Sequence, residues 1–282
     1  MNGMQSALRR LNIEEPVSRL AILATRFAKL SVLLAIIALV AAHAHGSLAR
    51  FFAVLTLRPN STPDPGVGLF IFLAALAIAA LAVGVALGAA ASIWVRGRRG
   101  VARIVAALAL VSLLLPYPAW LVYSAGNPPW LSDISTDVDD PPAFSTAPEV
   151  LAGRGGWTPA PFEPARAPEQ LAAFPDAKTM SLDMDLRDAF RATHDAVLEL
   201  RWTILAETQP GGPNRPEGHI EALAHSPALN LPIAIAIRIR PGDEESRVDM
   251  RAATRYLPND LGAGARLIGQ LSDLLEEKSG SD

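Results

Sequence analysis

The sequence predicts an α+β domain, with a mostly antiparallel sheet and two packing helices, preceded by three transmembrane α-helices. Two patterns indicate this fold: long uncharged apolar runs early in the chain, and alternating apolar and polar residues late in it. The charge also changes along the chain. Residues 1–130 contain 11 Lys and Arg against 3 Asp and Glu, and residues 131–282 contain 14 against 25. A basic, apolar part suits a bilayer, and an acidic part suits water.

A membrane domain is predicted over residues 1–125, because about 20 apolar residues are enough for a helix to cross a bilayer. The predicted spans cover residues 30–48, 67–95 and 104–123. A cleaved signal peptide ending near Ala44 is the alternative for the first apolar run, but the charged segment before it is longer than such peptides carry. The lipid bilayer is therefore the first expected partner.

Basic residues indicate the orientation of these spans. Arg96, Arg98, Arg99 and Arg103 lie in or beside the short connection between the second and third spans, and the N-terminal segment is also basic. Cytoplasmic segments carry the excess of Lys and Arg, so we expect both on the cytoplasmic side. Three spans then place the C-terminal domain on the outer side of the membrane, which in a Gram-negative cell is the periplasm.

A Pro-rich, extended linker is predicted over residues 126–176. Prolines at positions 141, 142, 159, 161, 164 and 168, among mostly polar neighbours, favour an extended chain that buries little surface. Asp137, Asp139 and Asp140 form an acidic patch in this segment. A solvated linker is favoured over a cation site, because such a site needs ligands held by a fixed loop.

The outer α+β domain is predicted over residues 177–282. One helix begins at Asp185 and a second near Asp260, since aspartate is a good N-cap residue. Alternation and turn residues predict three or four strands between them. These strands cover residues 201–208, 218–225, 233–240 and 247–252. The isoleucines of the third strand share one face, on which we expect both helices to pack.

The opposite sheet face is predicted to be open and charged. Its polar residues are His219, Glu221, Arg238, Arg240, Arg247, Asp249 and Arg251. The arginines outnumber the carboxylates, which predicts a positive patch suited to an anionic ligand, a lipid headgroup or an acidic protein partner. The alternative is a solvated face whose salt bridges contribute at most about 1 kcal/mol each.

Catalysis has less support in the sequence. His219 and Glu221 share a strand face and could act with Asp249, but no nucleophile is visibly paired with them. His219 and His225 lie about 20 Å apart along a straight strand, too far to share a zinc ion. The chain has no cysteine. We therefore lean against an enzyme, and expect no metal, no cofactor and no nucleic-acid partner.

Several segments together resemble a known family. They read HIEALAHS, IAIAIRIRP and SRVDMRAATRYLPNDLGAGARLIGQL, and this combination resembles domain of unknown function 1499. The earlier segment LSDISTDVDDPPAF is similar to that of membrane-anchored alphaproteobacterial members. The resemblance implies a bacterial inner-membrane protein with an uncharacterised outer domain and no established activity. Four positions depart from the family pattern: Ile233 and Ala234 replace an expected acidic pair, Ala252 an expected serine, and Gly264 an expected asparagine.

Three functions are compatible with these patterns. The favoured one is a membrane-tethered module that binds or scaffolds through the arginine-rich sheet face and the start of the last helix. The residues predicted for this site are Glu221, Arg238, Arg240, Asp249, Arg251, Arg255, Asp260 and Arg266. The alternatives are an envelope hydrolase and a structural accessory subunit of a membrane complex, attached through the Ala- and Gly-rich second span.

Overall fold

The computed structural model describes residues 16–43, 66–125, 130–211, 216–226, 229–242, 245–256 and 259–279. The end of the first predicted span, at 44–48, and the predicted outer loop up to residue 65 lie outside the described residues. The chain divides into a helical unit that ends at Trp120 and a second unit that begins at Leu121. Each unit is described by itself below.

The helical unit contains two helices long and apolar enough to cross a membrane, α1 (Arg19–Ala42) and α2 (Gly66–Arg96). The predicted third span corresponds to two shorter helices, α3 (Val101–Ser112) and α4 (Pro116–Ala125). The helix breaks between them because Pro116 has no N–H to donate to the preceding turn. Two candidate spans are thus found in the described part of the chain, and the third stays a prediction.

Small residues hold these helices together. The buried face of α1 repeats small side chains at alternating spacings of three and four, and α2 does the same from Ala75 onward. The buried alanines are Ala21, Ala24, Ala28, Ala35 and Ala38 on α1 and Ala75, Ala79, Ala82, Ala86 and Ala89 on α2. Small side chains at helical spacing let two backbones approach closely. The large apolar side chains, such as Leu33 and Leu87, point outward.

The second unit contains an antiparallel sheet with helices, which confirms this part of the predicted fold. Its helices are α5 (Pro148–Gly153), α6 (Ala167–Ala173), α7 (Leu186–Glu199) and α8 (Ala263–Ser279). Its strands are β1 (Asp133–Ser135), β2 (Met180–Leu182), β3 (Thr203–Thr208), β4 (Gly218–His225), β5 (Pro232–Pro241) and β6 (Ser246–Thr254). The sheet order is β1-β6-β5-β4-β3, and β2 pairs with the other end of β6.

The hydrophobic core lies between the sheet and the helices α7 and α8. Ile235 and Ile237 of β5 and Leu271 of α8 are buried in it, as the alternation of β5 predicts. Asp185 caps α7, as predicted, by accepting hydrogen bonds from the N–H groups of Arg187 and Asp188. The strands and helices therefore place one face of β4, β5 and β6 in the core and the polar side chains on the opposite face.

The opposite sheet face is covered, not open as the sequence suggests. The segment 130–176, called the strap below, crosses this face and adds β1 to the edge of the sheet beside β6. Gln170, 1% exposed, accepts from Ser135 N at 3.0 Å and donates to Ser135 O at 2.7 Å, which satisfies the outer edge of this short strand. The strap thus differs from the extended linker predicted over 126–176, because a few of its residues are buried and paired.

Candidate functional site

Arg238 of β5 lies at the centre of the polar sheet face. Its side chain is 8% exposed, and its guanidinium group lies 3.1 Å from Asp249, 2.7 Å from Asp140 and 3.3 Å from Asp137. Burial alone would lower the pKa of Arg238, but the hydrogen bonds to Asp249 and Asp140 outweigh burial and raise it. This arginine is therefore a fixed positive charge inside the domain.

Two aspartates extend the pairing. Asp249 of β6 is fully buried, accepts from Thr179 Oγ1 at 2.6 Å, and lies 3.0 Å from Arg240 Nε. Asp137 of the strap accepts from Arg240 Nη2 at 2.6 Å. Burial raises the pKa of Asp137, but hydrogen bonds from the Asp140 and Asp139 backbone and from Arg240 leave it below its ordinary value.

Arg251 of β6 is held in the same way at the other end of the face. Its guanidinium group donates to both oxygens of Asp133, at 2.9 and 2.5 Å, and to Ala160 O at 2.8 Å. Its positive charge also lies over the rings of Phe144 and Phe162, at 5.0 and 5.6 Å from the ring centres. Strap residues thus surround this side chain.

We call these paired groups the arginine–aspartate cluster: Arg238, Arg240, Arg251, Asp133, Asp137, Asp140 and Asp249. Its arginines do not exceed its aspartates, so the predicted surplus of positive charge is not present within the cluster. Sequence reasoning missed Asp133 and Asp140 as partners because it treated the strap as solvated. Binding of an external anion by these arginines stays a prediction.

The remaining predicted residues near the last helix have separate contacts. Asp260 accepts from Gly262 N at 2.8 Å and from Gly264 N at 2.7 Å, and so caps the start of α8. Burial raises its pKa despite these hydrogen bonds. Arg266 donates to Leu261 O at 2.9 Å, and exposed Arg255 lies over the ring of Tyr256. These contacts are local and involve no member of the arginine–aspartate cluster.

A cavity of about 310 Å³ lies beside the cluster, between the strap and the edge formed by β3 and β4. We call it the Glu221 cavity. Its lining residues are Ala143, Phe144, Ser145, Ala206, Glu207, Thr208, His219, Glu221, Ala236 and Ile237. The volume is at the lower end of the range of small-molecule sites, and the walls combine apolar surface with a few polar groups, as such sites do.

Glu221 is the buried ionisable group of this cavity. It is 8% exposed, and its Oε1 accepts from Ser145 N at 2.6 Å. Its Oε2 is buried and has no hydrogen-bond partner among the described atoms. Burial raises the pKa of Glu221, although the Ser145 N–H and the charges of Arg154 and His219 act in the opposite direction. A buried carboxylate oxygen without a partner costs folding free energy, and such groups are therefore rare in native proteins.

Arg154 of the strap lies on the other side of the cavity wall, and sequence reasoning did not single it out. It is buried, it donates through Nη2 to Ser145 O, and its charge lies 5.5 Å from the ring centre of Phe144. Its Nε and Nη1 are buried without a hydrogen-bond partner among the described atoms. Arg154 is not among the residues that line the cavity.

The three residues proposed for hydrolysis do not all meet in one cleft, because His219 and Glu221 line the Glu221 cavity but Asp249 does not. His219 is 48% exposed and its Nε2 lies 3.5 Å from Glu217, whereas Asp249 is buried in the arginine–aspartate cluster. The Ser145 hydroxyl accepts from Ala147 N. Within the described ranges, no three His, Asp or Glu side chains are grouped as a metal site requires. The described residues therefore do not bring together the three groups that the hydrolase hypothesis requires.

Comparison with known proteins identifies a family. The model of a family described as "Protein of unknown function (DUF1499)" matches residues 133–275, which confirms the resemblance seen in the sequence. The match begins at β1 in the strap and ends near the C-terminus of α8. No curated protein and no solved structure matches the chain. The matched region therefore includes the strap together with the sheet.

Proposed function

This chain belongs to the DUF1499 family of proteins of unknown function, and from that premise we propose that it is a bacterial inner-membrane protein whose periplasmic domain binds a small polar ligand in the Glu221 cavity. The observation that carries the proposal is the Glu221 carboxylate. It lines a cavity of ligand size, and one of its oxygens has no partner among the described residues. A bound ligand would supply the missing hydrogen bond.

Membrane insertion is supported by the distribution of side-chain size. Helices α1 and α2 bury alanines in one cluster with Ile104, Ala107 and Val111 of α3, and turn most of their leucine, isoleucine, valine and phenylalanine side chains outward. A water-soluble bundle buries its large apolar side chains, whereas helices in lipid associate through small ones. Phe70 is 73% exposed and Leu87 is 63% exposed, as we expect for side chains that contact lipid.

The proposed orientation rests on the positive charge at one end of the helical unit. Ser18 N donates to Arg99 O at 2.9 Å, so the start of α1 and the connection between α2 and α3 lie at the same end. Arg19, Arg96 and Arg98 lie near that end in sequence. The excess of positive charge favours the cytoplasm for it. If α3 and α4 cross as the third span, the second unit lies in the periplasm.

The arginine–aspartate cluster has a structural part in this proposal. Its arginines already hold the carboxylates of the strap, and the strap forms one wall of the cavity through Phe144 and Ser145. The cluster thereby positions the cavity wall opposite β4. The binding role that the sequence suggests for the arginine face is assigned instead to the neighbouring Glu221 cavity.

Native mass spectrometry of the full-length protein, gently extracted from its own membrane, tests this proposal. We expect a retained low-mass molecule in the natural protein and its loss in the Glu221→Gln variant. An Arg247→Gln variant is the matched control, because Arg247 is an exposed residue of the same sheet. A bare natural protein, or equal retention in the Glu221→Gln variant, would contradict the proposal. A protein partner retained by all three samples would favour the accessory-subunit alternative.

A further inference from the structure

The charges around the Glu221 cavity restrict the chemistry of its ligand. Glu207 and Glu221 contribute carboxylates to its lining, and His219 is the third ionisable group there. No lysine or arginine is among the described lining residues. The lining side chains themselves therefore favour positive over negative groups.

Nearby positive groups do not bond to Glu221. The charge of Arg154 acts on Glu221 from nearby, but Arg154 donates to the Ser145 carbonyl and lies against the Phe144 ring. Its Nε and Nη1 and Glu221 Oε2 have no hydrogen-bond partner among the described atoms. Arg238, which pairs with His219 in the sheet register, is bonded to three aspartates. One oxygen of the Glu221 carboxylate thus accepts from a backbone N–H, and the other has no hydrogen-bond partner among the described atoms.

The shape of the site allows Glu221 to accept from a bound molecule. Glu221 Oε2 is buried where it lies, so it must rotate to face the cavity that the residue lines, and the terminal torsion of a glutamate side chain is soft enough to allow this. The Thr208 hydroxyl and the His219 ring lie in the same lining and offer further hydrogen bonds. A donor group with a positive charge gains most from such a carboxylate, because charge-assisted hydrogen bonds are about twice as strong as neutral ones.

We propose that the Glu221 cavity selects a small polar molecule that carries an ammonium group, and that this group donates a hydrogen bond to Glu221 Oε2. This inference rests on the proposed function and adds the charge class of the ligand. The cavity volume of about 310 Å³ admits a molecule of the size of one amino sugar or one short polyamine.

Three probes of equal size and different charge test the inference: glucosamine, glucose and glucuronate. They are hydrophilic, so they stay out of the detergent that holds the full-length protein. The readout is the ¹⁵N–¹H signal of Ser145 in serine-labelled protein, because this N–H donates to Glu221. The signal is assigned by its absence from a Ser145→Ala variant.

We expect glucosamine to shift the Ser145 signal in a saturable way, and glucose and glucuronate to leave it unchanged. Glu221→Gln should weaken the glucosamine response by about tenfold or more, as the loss of a charged hydrogen bond implies. Glu276→Gln, which makes the same charge change on α8, is the control and should respond like the natural protein.

The other outcomes overturn the inference in distinguishable ways. Equal shifts with all three probes would show a cavity that binds without regard to charge, and would leave the proposed function intact. A shift with glucuronate alone would mean an anion site. No shift with any probe would overturn the ammonium assignment, and the retained molecule in the mass-spectrometric test would then decide the proposed function separately.

Discussion

At the scale of single residues, Asp137 shows how the strap is fastened. Its Oδ1 accepts from Asp139 N and Asp140 N, and its Oδ2 accepts from Arg240 and Arg238. One carboxylate thus shapes a turn of the strap and joins that turn to β5. Aspartate is suited to this double role because its short side chain reaches its own following backbone.

The pH dependence of stability should reveal this role. The pKa of Asp137 lies below its ordinary value of 3.8, so its contribution to stability is fully present above about pH 4 and is lost as the pH falls through the lower folded-state pKa. We expect Asp137→Asn to lower the free energy of unfolding by about 2 kcal/mol at pH 7. The difference in stability between the variant and the natural protein should shrink below pH 3.8, and thermal melts at several pH values measure it. A difference that stays the same at every pH would contradict the pairing of Asp137 with the arginines.

Arg238 is expected to be the most sensitive arginine of the domain. Replacing it by methionine leaves Asp249 without one of its arginines, and breaking a buried pair costs about 3–5 kcal/mol. We expect the melting temperature to fall by about 10 °C. Arg247→Met is the control, since an exposed substitution changes stability by about 0.5 kcal/mol or less. Equal melting temperatures would show that Arg238 is not structural.

At the scale of elements, alternation and capping predicted most of the second unit. The isoleucines of β5 and the cap at Asp185 each carry a local signal, so four strands and two helices were found close to their observed bounds. The strap carries no such signal. Its β1 is three residues long, and it is paired by residues far away in the chain, such as Ala253. Non-local pairing of a short strand cannot be read from composition.

For the candidate site, the positions of the side chains on the sheet could be predicted but their burial could not. Sequence reasoning placed Glu221, Arg238, Asp249 and Arg251 on one face, because a strand alternates its side chains. It could not tell which of them are buried, since burial depends on the strap. The segment LSDISTDVDD has four acidic residues, as many as the arginines predicted for the sheet face, and this was the available signal for the arginine–aspartate cluster.

Helix packing in the first unit gives a prediction of its own. Ala28 is fully buried among the alanines of α1 and α2, so Ala28→Leu should push the helices apart and cost about 1–3 kcal/mol. Leu33→Ala on the outward side of α1 is the control and should have little effect, because Leu33 is 53% exposed. Thermal melts of helical circular dichroism in detergent compare the two. Equal melting temperatures for the two variants would mean that the alanine face of α1 does not pack against other helices.

At the scale of the whole molecule, the number of membrane crossings decides where the second unit lies. Two crossings return the chain to the side of its N-terminus, and three place residues 130–279 on the opposite side. The break at residues 113–115 lies inside the proposed third crossing. Two short helices in series can cross a bilayer if neighbouring helices or local turns satisfy the freed backbone groups.

Single-cysteine labelling tests the third crossing. The chain has no cysteine, so an introduced one reports by itself. We expect Ser279→Cys to react with a membrane-impermeant maleimide in intact spheroplasts, and Arg98→Cys to react only after the membrane is opened. Protection of both positions until the membrane is opened would indicate two crossings and a cytoplasmic second unit.

If Glu221 is present for binding and not for folding, its replacement by glutamine should not destabilise the domain, and the melting temperature of Glu221→Gln measures this. The amide oxygen still accepts from Ser145 N, and the substitution removes a charge whose burial raises the pKa of Glu221. We expect a melting temperature equal to or above that of the natural protein, measured without ligand at pH 7. A fall comparable to that expected for Arg238→Met would contradict it, because Glu221 would then be one more structural carboxylate of the domain.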